Sequence, residues 1–371
     1  MRIATSARPL AHNAGIGRYA RGLVEAMLKV APQNQYLFFT NKQAPLPHGL
    51  GMARPRIVDK LTPGRIEWEQ IVLPAKIALS RADIYFSADF TTPLFCPAPT
   101  VVTCHDLFFL THPKNSSWRA RLLYNTFAPP SLKRAGAVIT MSSYYQSRIS
   151  EAYGIDKAKI FVIPGAVSPI FKRLDERESF DYVGRKFGLF DPYVLSVATF
   201  EKRKNLGTLI EAFGLLKKNY KGRISLALVG KAGNAESQMA DAREKLGEHA
   251  QDVRVLGRVS DDDLVRLYAG ATVYAMPSTD EGFGLPLLEA MACGTSVIAS
   301  NASAIPETVG DAALLCDPMD AEAFAHAIGS LLENKNLRAD LVERGLKRAS
   351  CYTYENSAKS HLEVFDYVIN L

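Results

Sequence analysis

Residues 274–290 read YAMPSTDEGFGLPLLEA and combine the features of a strand, a glycine-containing loop and the start of a helix. The apolar run from Tyr274 predicts a buried strand. Pro286 favours a helix start, because its missing N–H would be unsatisfied in the first turn in any case. Gly282 and Gly284 leave backbone N–H groups accessible where the helix begins, and this end of a helix carries partial positive charge. The stretch therefore predicts a strand–loop–helix unit that suits the pyrophosphate of a nucleoside diphosphate.

Two carboxylates flank this loop. Glu281 precedes the predicted helix, and Glu289 lies in its second turn. Carboxylates bind vicinal hydroxyls by accepting two hydrogen bonds, so we expect one of the pair to face a sugar and the other a ribose. The alternative is that Glu281 caps the helix and Glu289 is a surface residue. The glycines and the strand–loop–helix context favour the binding role.

Short apolar runs alternate with amphipathic stretches of helix length on both sides of this unit, which is typical of parallel α/β architecture. In the first half the predicted strands are Arg2–Ser6, Gln35–Thr40, Ile84–Ser87, Thr100–Cys104, Ala137–Met141 and Ile160–Ile163. The predicted helices there are Gly17–Val30, Arg65–Ala78, Trp118–Ala135 and Ser143–Tyr153.

The same alternation restarts in the second half. The predicted strands are Tyr193–Val197, Ser225–Val229, Val253–Val255, Val273–Met276, Ser296–Ala299 and Ala313–Cys316. The predicted helices are Asn205–Lys217, Glu236–Leu246, Asp261–Ala269, Pro286–Met291, Ile305–Val309, Ala321–Glu333 and Lys335–Ser350. Two separate series predict an α/β protein with two doubly wound domains.

The expected domains are residues 1–170 and 185–353, with a linker in Ser168–Asp191 because that segment is charged and weakly periodic. The amphipathic residues 354–371 either complete the second domain or pack back onto the first. Open α/β sheets bind ligands at the carboxyl ends of their strands, so we expect the two domains to face each other across a cleft that holds the ligand.

Arg203 and Lys204 follow a predicted strand and stand at a predicted helix start. Two fixed cations at such a position would stabilise charge that develops on a departing phosphate. The alternative is an exposed pair in solvent, which is the usual environment of Lys and Arg. On the residues alone the two interpretations are balanced.

A glycine loop begins at Gly15, and its spacing fits the dinucleotide pattern GxGxxA. That pattern indicates dinucleotide binding only directly after a strand, and here the first strand ends near Ser6. The loop is also consistent with an ordinary glycine-rich helix entry. His105 ends another predicted strand and precedes Asp106, which either caps the next turn or lies at the same site.

Composition restricts the class of protein. The chain has 371 residues, 47% of them hydrophobic and 22% charged, which fits a globular protein of about two domains at roughly 100–200 residues each. No uninterrupted apolar run is long enough to span a membrane, and the first residues do not resemble a signal peptide. The five cysteines form no CxxC pair, so we expect a reducing, cytoplasmic environment.

Charge is distributed unevenly. Residues 1–170 contain 20 Lys and Arg against 9 Asp and Glu, whereas residues 171–371 contain 24 against 29. A basic half suggests a phosphate-bearing substrate or peripheral contact with an anionic membrane surface, although dispersed basic residues are more often simply solvated. No aromatic and basic cluster or recognition helix indicates nucleic-acid binding.

The segment EGFGLPLLEAMACGTSVIASNASAIPETVGDAALLCDP, residues 281–318, resembles the donor-binding signature of the family 4 retaining glycosyltransferases, which have the GT-B fold. The basic loop 198–206, the interdomain stretch 165–171, the glycine loop 15–18 and His105-Asp106 resemble further parts of that family, so the likeness covers essentially the whole chain. The resemblance implies catalytic roles for His105, Arg203, Lys204 and Glu281. It implies donor binding by Gly15, Gly17, Thr199, Gly282, Phe283, Gly284, Leu285 and Glu289.

The same resemblance implies retention of anomeric configuration, a nucleotide-sugar donor and no metal or other cofactor. Thr199 stands in the region where many members have an additional Arg, so the set of phosphate contacts differs here. Residues 15–19, 67–70 and 104–107 look most like mannosyltransferases of bacterial surface-polysaccharide pathways, which makes GDP-mannose the first candidate donor.

The acceptor is then a glycan or a lipid-linked sugar. Charge asymmetry suggests that it binds the basic N-terminal domain through residues such as Arg65, Trp68, Arg119 and Arg121, which would reach a lipid-linked diphosphate or anionic headgroups. Three alternatives remain at this level: a UDP- or dTDP-sugar-dependent transferase, a nucleotide-sugar epimerase, and a non-catalytic nucleotide-sugar-binding protein.

Overall fold

The computed structural model describes residues 1–11, 15–40, 56–57, 64–111, 118–189 and 192–371. The chain forms two compact units. The first unit comprises Met1–Ala166 together with Thr353–Leu371, and the second comprises Val167–Tyr352. Each unit contains one parallel sheet with helices around it, so the predicted α/β class with two doubly wound domains is confirmed.

The sheet of the first unit has seven parallel strands. They are β1 (Arg2–Ser6), β2 (Gln35–Thr40), β3 (Arg56–Ile57), β4 (Ile84–Ser87), β5 (Thr100–Thr103), β6 (Ala137–Thr140) and β7 (Ile160–Val162). Their order is β3-β2-β1-β4-β5-β6-β7. Every residue of β4, β5 and β6 is buried, which is why these segments contain no charged residue and do not alternate. The two-residue edge strand β3 was not predicted.

The helices of residues 1–166 are α1 (Ile16–Val30), α2 (Arg65–Glu67), α3 (Leu73–Ser80), α4 (Phe108–Thr111), α5 (Trp118–Arg134) and α6 (Ser143–Tyr153). A π-helical turn, Trp68–Val72, joins α2 to α3, so the helix predicted over Arg65–Ala78 is continuous but locally widened. Such turns occur often at functional sites. The short helix α4 was not predicted.

The sheet of the second unit has six parallel strands in the order β10-β9-β8-β11-β12-β13. They are β8 (Tyr193–Val197), β9 (Ser225–Val229), β10 (Val253–Gly257), β11 (Val273–Met276), β12 (Ser296–Ser300) and β13 (Leu314–Cys316). All six were predicted to within two residues at each end.

The helices of the second unit are α7 (Glu176–Phe187), α8 (Leu206–Asn219), α9 (Glu236–Glu244), α10 (Asp261–Ala269), α11 (Leu285–Ala292), α12 (Ile305–Val309), α13 (Ala321–Glu333) and α14 (Lys335–Ser350). An apolar core formed by residues of α8, α13 and the central strands fills the space on one face of the sheet. This core holds the carboxyl ends of the strands in fixed positions.

The segment predicted as a linker, residues 168–191, is instead largely structured. Helix α7 occupies its centre, capped by Asp175, and belongs to the second unit, which begins at Val167. Tyr182 of α7 donates a hydrogen bond to Asp263 of α10 at 2.8 Å, and Lys186 pairs with the same carboxylate at 2.7 Å. Phe180, Val183 and Phe187 recur at helical spacing in α7, but the charged residues around them led to the linker prediction.

Helix α15 (Tyr354–Ile369) returns to the first unit and packs on α1. The imidazole Nδ1–H of His361 donates to the Ser357 carbonyl at 2.7 Å, so its Nε2 accepts the hydroxyl proton of Tyr19 at 2.8 Å. The Tyr354 hydroxyl donates to the Arg18 carbonyl at 3.2 Å. Both hydrogen bonds join residues from the two ends of the unit, and the contact between Tyr19 and His361 is buried.

We expect this contact to make stability depend on pH. Burial lowers the pKa of His361 to about 4, whereas an unfolded histidine titrates near 6.5. Because the unfolded chain binds this proton first, stability falls by about 1.4 kcal/mol per pH unit as the pH drops through that window. Urea unfolding between pH 7 and pH 4 should show a shallower decline for His361→Gln. The exposed His326→Gln should match wild type, and equal slopes for all three proteins would contradict the assignment.

Candidate functional site

The strand order of the second unit identifies one special position in its sheet. From β8 the chain winds toward β9 and β10, and from β11 it winds toward β12 and β13, so the direction reverses between β8 and β11. Open α/β sheets bind ligands at the carboxyl ends of the strands at such a switch point. The loop after β8 carries the basic pair Arg203 and Lys204. The loop after β11 carries Glu281, Gly282 and Gly284.

Backbone hydrogen bonds hold these two loops together. The N–H of Thr279 donates to the Arg203 carbonyl at 2.8 Å, and the Thr279 hydroxyl donates to the same oxygen at 3.1 Å. The Ser303 hydroxyl, from the loop after β12, accepts the N–H of Glu281 at 2.8 Å. Side chains that are 77 residues apart in sequence are therefore brought together by adjacent strands.

Glu281 lies between the two cations. Its Oε1 accepts a hydrogen bond from Lys204 Nζ, and its Oε2 lies 3.3 Å from Arg203 Nη1. Arg203 also donates through Nη1 to the Asp280 carbonyl at 3.0 Å and through Nε to Glu201 at 2.8 Å. Lys204 and Glu281 are only 8% and 5% exposed. The alternative that the basic pair is exposed to solvent is therefore wrong for Lys204.

The pair is electrostatically coupled. Burial alone would raise the pKa of Glu281, but the charges of Lys204 and Arg203 outweigh it and lower that pKa below its ordinary value. Burial also lowers the pKa of Lys204; Glu281 opposes this shift, and the guanidinium of Arg203 adds to it. Lys204 therefore loses its proton more readily than an exposed lysine, and an additional anion beside it would raise its pKa again.

Helix α11 begins where the sequence predicted it. Gly284 is its N-cap residue with φ +90°, a backbone conformation that side chains rarely adopt, and Pro286 lies in the first turn. Its N-cap is Gly284, and the two carboxylate oxygens of Glu281 contact Arg203 and Lys204 instead, so the alternative that Glu281 caps this helix is wrong. Pro286 has no N–H, and the Leu287 N–H donates to the Gly284 carbonyl at 2.9 Å, so the first backbone N–H of α11 is that of Leu285.

Glu289 differs from Glu281 in its surroundings. It is buried, and its Oε2 accepts the hydroxyl proton of Tyr268 at 3.1 Å. Tyr268 packs on Tyr274, whose ring centroid is 5.5 Å away, and Tyr274 donates to the Val197 carbonyl at 3.4 Å. The surface alternative for Glu289 is therefore wrong, and its contact with a ribose stays a prediction.

Three other predicted donor residues occupy different environments. Thr199 is exposed, and its carbonyl accepts the N–H of Glu201 at 2.7 Å. The ring of Phe283 is buried, 5.6 Å from that of Tyr352, so the backbone of Phe283 rather than its ring is available to a ligand. Leu285, the first residue of α11, is partly buried.

The remaining predicted site residues belong to the first unit. Gly15 is exposed and precedes α1, with no atom within 4 Å of the position that a Cβ would take; Gly17 is buried inside α1. His105 is buried after β5, and its Nε2–H donates to the Ala88 carbonyl at 2.9 Å, which leaves Nδ1 as an acceptor. Burial lowers the pKa of His105, so the ring is neutral at physiological pH.

Aromatic rings surround His105. Tyr19 contacts it edge-on, with ring centroids 5.0 Å apart, and Phe90 lies at 5.6 Å. Sequence patterns did not identify Tyr19, Tyr268, Ser303 or Glu201 as neighbours of candidate site residues. Glu201 alone had a local signal, since it stands two residues before Arg203.

The proposed acceptor residues also have different environments from those expected. Trp68 is 1% exposed and packs in a core with Phe39, Leu73 and Tyr85, so it is not a surface contact. The side chain of Arg119 lies outside the described residues. Arg65 is partly exposed but engaged by neighbouring carboxylates.

Among the residues described, no group of three or more His, Cys, Asp or Glu side chains is arranged to hold a metal ion. Within the same part of the chain, no helix is long and apolar enough to cross a membrane.

Comparison with known proteins identifies relatives for both halves. Residues 14–170 match the model of Glycosyltransferase Family 4, and residues 185–348 match that of Glycosyl transferases group 1. The O-antigen chain mannosyltransferase B of Escherichia coli is 32% identical over 269 residues, which cover 71% of this chain and 69% of that protein.

The serotype-specific mannosyltransferase WbdA of Escherichia coli is 29% identical over 274 residues, covering 72% of this chain but only 33% of its own length. Among solved structures, Anabaena HepE in complex with UDP and glucose superposes with a TM-score of 0.73 over 99% of this chain and 100% of its own. At 19% identity this last similarity supports the fold alone.

Proposed function

This chain is a glycosyltransferase of family 4, and from that premise we propose that it transfers mannose from GDP-mannose to a glycan or lipid-linked acceptor in surface-polysaccharide synthesis. The observation that carries the proposal is the buried contact of Lys204 and Arg203 with Glu281 at the switch point of the second sheet. The mannosyltransferase B and WbdA similarities support the choice of sugar.

The donor diphosphate would bind at the start of α11. The backbone N–H groups after Gly282 supply neutral donors there, and Lys204 and Arg203 supply positive charge. Bond cleavage puts negative charge on the departing nucleoside diphosphate, and preorganised cations stabilise that charge without reorganisation at the moment of reaction. Lys204, protonated, is thus the main electrostatic group for departure.

Glu281 has a second task beyond orienting the cations. Each carboxylate oxygen accepts more than one hydrogen bond, and Lys204, Arg203 and the Ser278 hydroxyl occupy only part of the positions on Glu281. The remaining positions would accept hydroxyl protons of the donor sugar. Glu289, held by Tyr268, would accept from the ribose in the same way.

Transfer would proceed with retention by attack from the side that the phosphate leaves. The bond between the anomeric carbon and the phosphate oxygen breaks, an oxocarbenium-like sugar forms, and the acceptor hydroxyl attacks on the same face. The departing phosphate oxygen takes the acceptor's proton, so no protein base is required. The roles of His105, Gly15 and Gly17 at the donor stay predictions from the family resemblance.

A panel of donors tests this function. Release of nucleoside diphosphate from GDP-mannose and from UDP-, dTDP- and ADP-sugars would be measured with wild type and with Lys204→Ala, with and without EDTA. We expect release from GDP-mannose, unaffected by EDTA because backbone amides and cations balance the phosphate charge. No release from any donor would refute the proposal, whereas preference for another nucleotide would correct only the donor.

Gly230 offers an independent check on the loop geometry. A Cβ on Gly230 would lie 1.7 Å from the Ala198 carbonyl oxygen, and Ala198 begins the loop that leads to Lys204. We expect Gly230→Ala to displace that loop, lowering stability by about 2 kcal/mol or more and turnover at least about tenfold.

The matched control for that prediction is Gly207→Ala, in the first turn of α8. Apart from the neighbouring backbone, no atom of the described residues lies within 4 Å of the added methyl, and alanine favours a helix, so activity should be retained and melting unchanged or higher. Thermal melts and donor turnover would be compared for both proteins. Equal behaviour of the two variants would show that the loop does not depend on Gly230.

Peripheral membrane contact is a further part of the proposal. Ile71 and Phe95 of the first unit are 70% and 80% exposed. They adjoin Gln70 and Leu94, which are hydrogen-bonded at 2.9 Å, and the Arg134 guanidinium lies 5.2 Å from the Phe95 ring. Apolar side chains beside cations favour an anionic lipid surface.

Sedimentation with vesicles checks this contact. We expect binding to vesicles that contain anionic lipid, weakened by salt, and reduced several-fold by Ile71→Ser with Phe95→Ser. The equally exposed Met319→Ser of the second unit is the control. Binding that is absent, or that does not respond to salt, would reject the membrane contact.

A further inference from the structure

A second switch point lies in the first unit. From β1 the chain winds toward β2 and β3, and from β4 it winds toward β5, β6 and β7, so the direction reverses between β1 and β4. Arg8 follows the carboxyl end of β1, and Asp89 follows that of β4. By the same rule that locates the donor site, this position is where the first sheet would bind a ligand.

A polar cluster occupies that position. We call it the Arg65 cluster and define it as Arg65, Glu69, Asp89, Thr91 and Tyr124. The Arg65 guanidinium donates to Asp89 at 2.7 Å and to Thr91 at 3.2 Å through Nη2, and to the Tyr124 hydroxyl at 3.4 Å through Nη1. Its Nε lies 3.5 Å from Glu69 Oε2. Every nitrogen of the guanidinium is therefore engaged.

The charges in and beside the cluster cancel. The charge of Arg65 acts on the nearby Arg8, and both guanidinium groups interact electrostatically with the carboxyl groups of Glu69 and Asp89. A diphosphate needs cations whose charge is not already balanced and whose N–H groups can turn toward it. The arrangement instead presents carboxylate and hydroxyl oxygens on a rigid frame, which suits the hydroxyls of an uncharged sugar.

One oxygen of the cluster is unsatisfied. Glu69 Oε1 is buried and has no hydrogen-bond partner within the described ranges, although most buried polar atoms in proteins have one. Burial raises the pKa of Glu69, and the charge of Arg65 opposes that rise. A ligand hydroxyl that donates to Oε1 would supply the missing partner.

The cluster is also continuous with His105. The Tyr124 ring, which lies 5.5 Å below the Arg65 guanidinium, contacts Phe90 with centroids 5.3 Å apart, and Phe90 contacts His105. The Asp89 carboxylate acts on His105 electrostatically. A sugar bound at the cluster would therefore lie within the same group of residues as the histidine expected to touch the donor sugar.

We propose that the Arg65 cluster binds an uncharged sugar residue of the acceptor through its hydroxyls and does not bind a lipid-linked diphosphate. This inference rests on the proposed function for the statement that the sugar belongs to an acceptor. Glu69 and Asp89 accept the sugar's hydroxyl protons, Tyr124 supplies an aromatic wall, and Arg65 holds the two carboxylates in position.

Binding of octyl α-mannoside, measured by ligand-detected NMR titration without any donor, tests the inference. We expect Glu69→Gln and Asp89→Asn each to raise the dissociation constant about tenfold, because each loses an ionised acceptor. Glu67→Gln, which changes an exposed glutamate of α2, should bind like wild type. Lys204→Ala should also bind like wild type, which separates this site from the donor site.

Three results would overturn the inference: no binding of the mannoside to wild type, equal binding to wild type and both cluster variants, or tighter binding of octyl phosphate than of the mannoside at the cluster. Thermal melts identify a variant that fails to fold, and the other variant then decides. Donor release without acceptor, measured on the same proteins, keeps the proposed function separate. If wild type released no nucleoside diphosphate but bound the mannoside in a Glu69-dependent manner, only the transferase proposal would be refuted.

Discussion

Lys204→Ala is expected to lower kcat/KM for the donor by about a thousandfold, the upper range for removal of one preorganised charged donor. The reason is twofold. The departing phosphate loses its most buried cation. The buried carboxylate of Glu281 also loses one of its two cationic partners and keeps only Arg203. Because the cation acts on charge that develops during bond cleavage, most of the loss should appear in kcat.

The matched control is Lys202→Ala. Lys202 belongs to the same short helical turn, Lys202–Lys204, but its side chain is exposed. Steady-state release of nucleoside diphosphate should therefore be nearly unchanged. If the two alanine variants lost activity equally, the effect would come from the loop's net charge and not from the buried position of Lys204.

Glu281→Gln is expected to reduce kcat about a hundredfold, since the isosteric amide cannot accept hydroxyl protons at both positions and no longer balances the two cations. A second effect concerns pH. The carboxylate of Glu281 raises the pKa of Lys204 against the effect of burial, so its removal lowers that pKa further. Lys204 must be protonated to act, and activity should therefore decline at lower pH in this variant than in wild type.

The pH dependence of kcat/KM from pH 6 to pH 10 measures this shift. Glu211→Gln, an exposed glutamate on α8, should keep the wild-type profile. Lys204→Arg should remove the alkaline decline, because a guanidinium does not titrate in this range. An alkaline decline at the same pH in wild type and Glu281→Gln would mean that another group is titrating.

Much of the fold could be predicted because its signals are local. A parallel strand buried on both faces, such as β9 or β12, is a short apolar run between polar helices, and the sequence shows this directly. Helix α7 shows the opposite case. Its many charged residues indicated a linker, although Phe180, Val183 and Phe187 recur at helical spacing and its contact with Asp263 attaches it to the second unit.

The residues of the candidate site could be chosen from the sequence, but their contacts with each other could not be predicted. Lys204 and Glu281 could each be chosen from their position after a strand, yet their contact depends on β8 lying beside β11. The contact of Tyr19 with His361 spans 342 residues and likewise depends on the path of the chain. Strand order is a property of the whole sheet, and a single sequence contains no local signal for it.

The two crossings between the units have a consequence for synthesis. The Val167 N–H donates to the Tyr352 carbonyl at 2.9 Å, so the second unit starts and ends at one point and is inserted within the first. On the ribosome, residues 167–352 emerge complete before α15 does, although domains generally fold from the N-terminus onward. Residues 1–166 therefore emerge before the helix that completes their unit, and until then the buried face of α1 has no α15 to cover it.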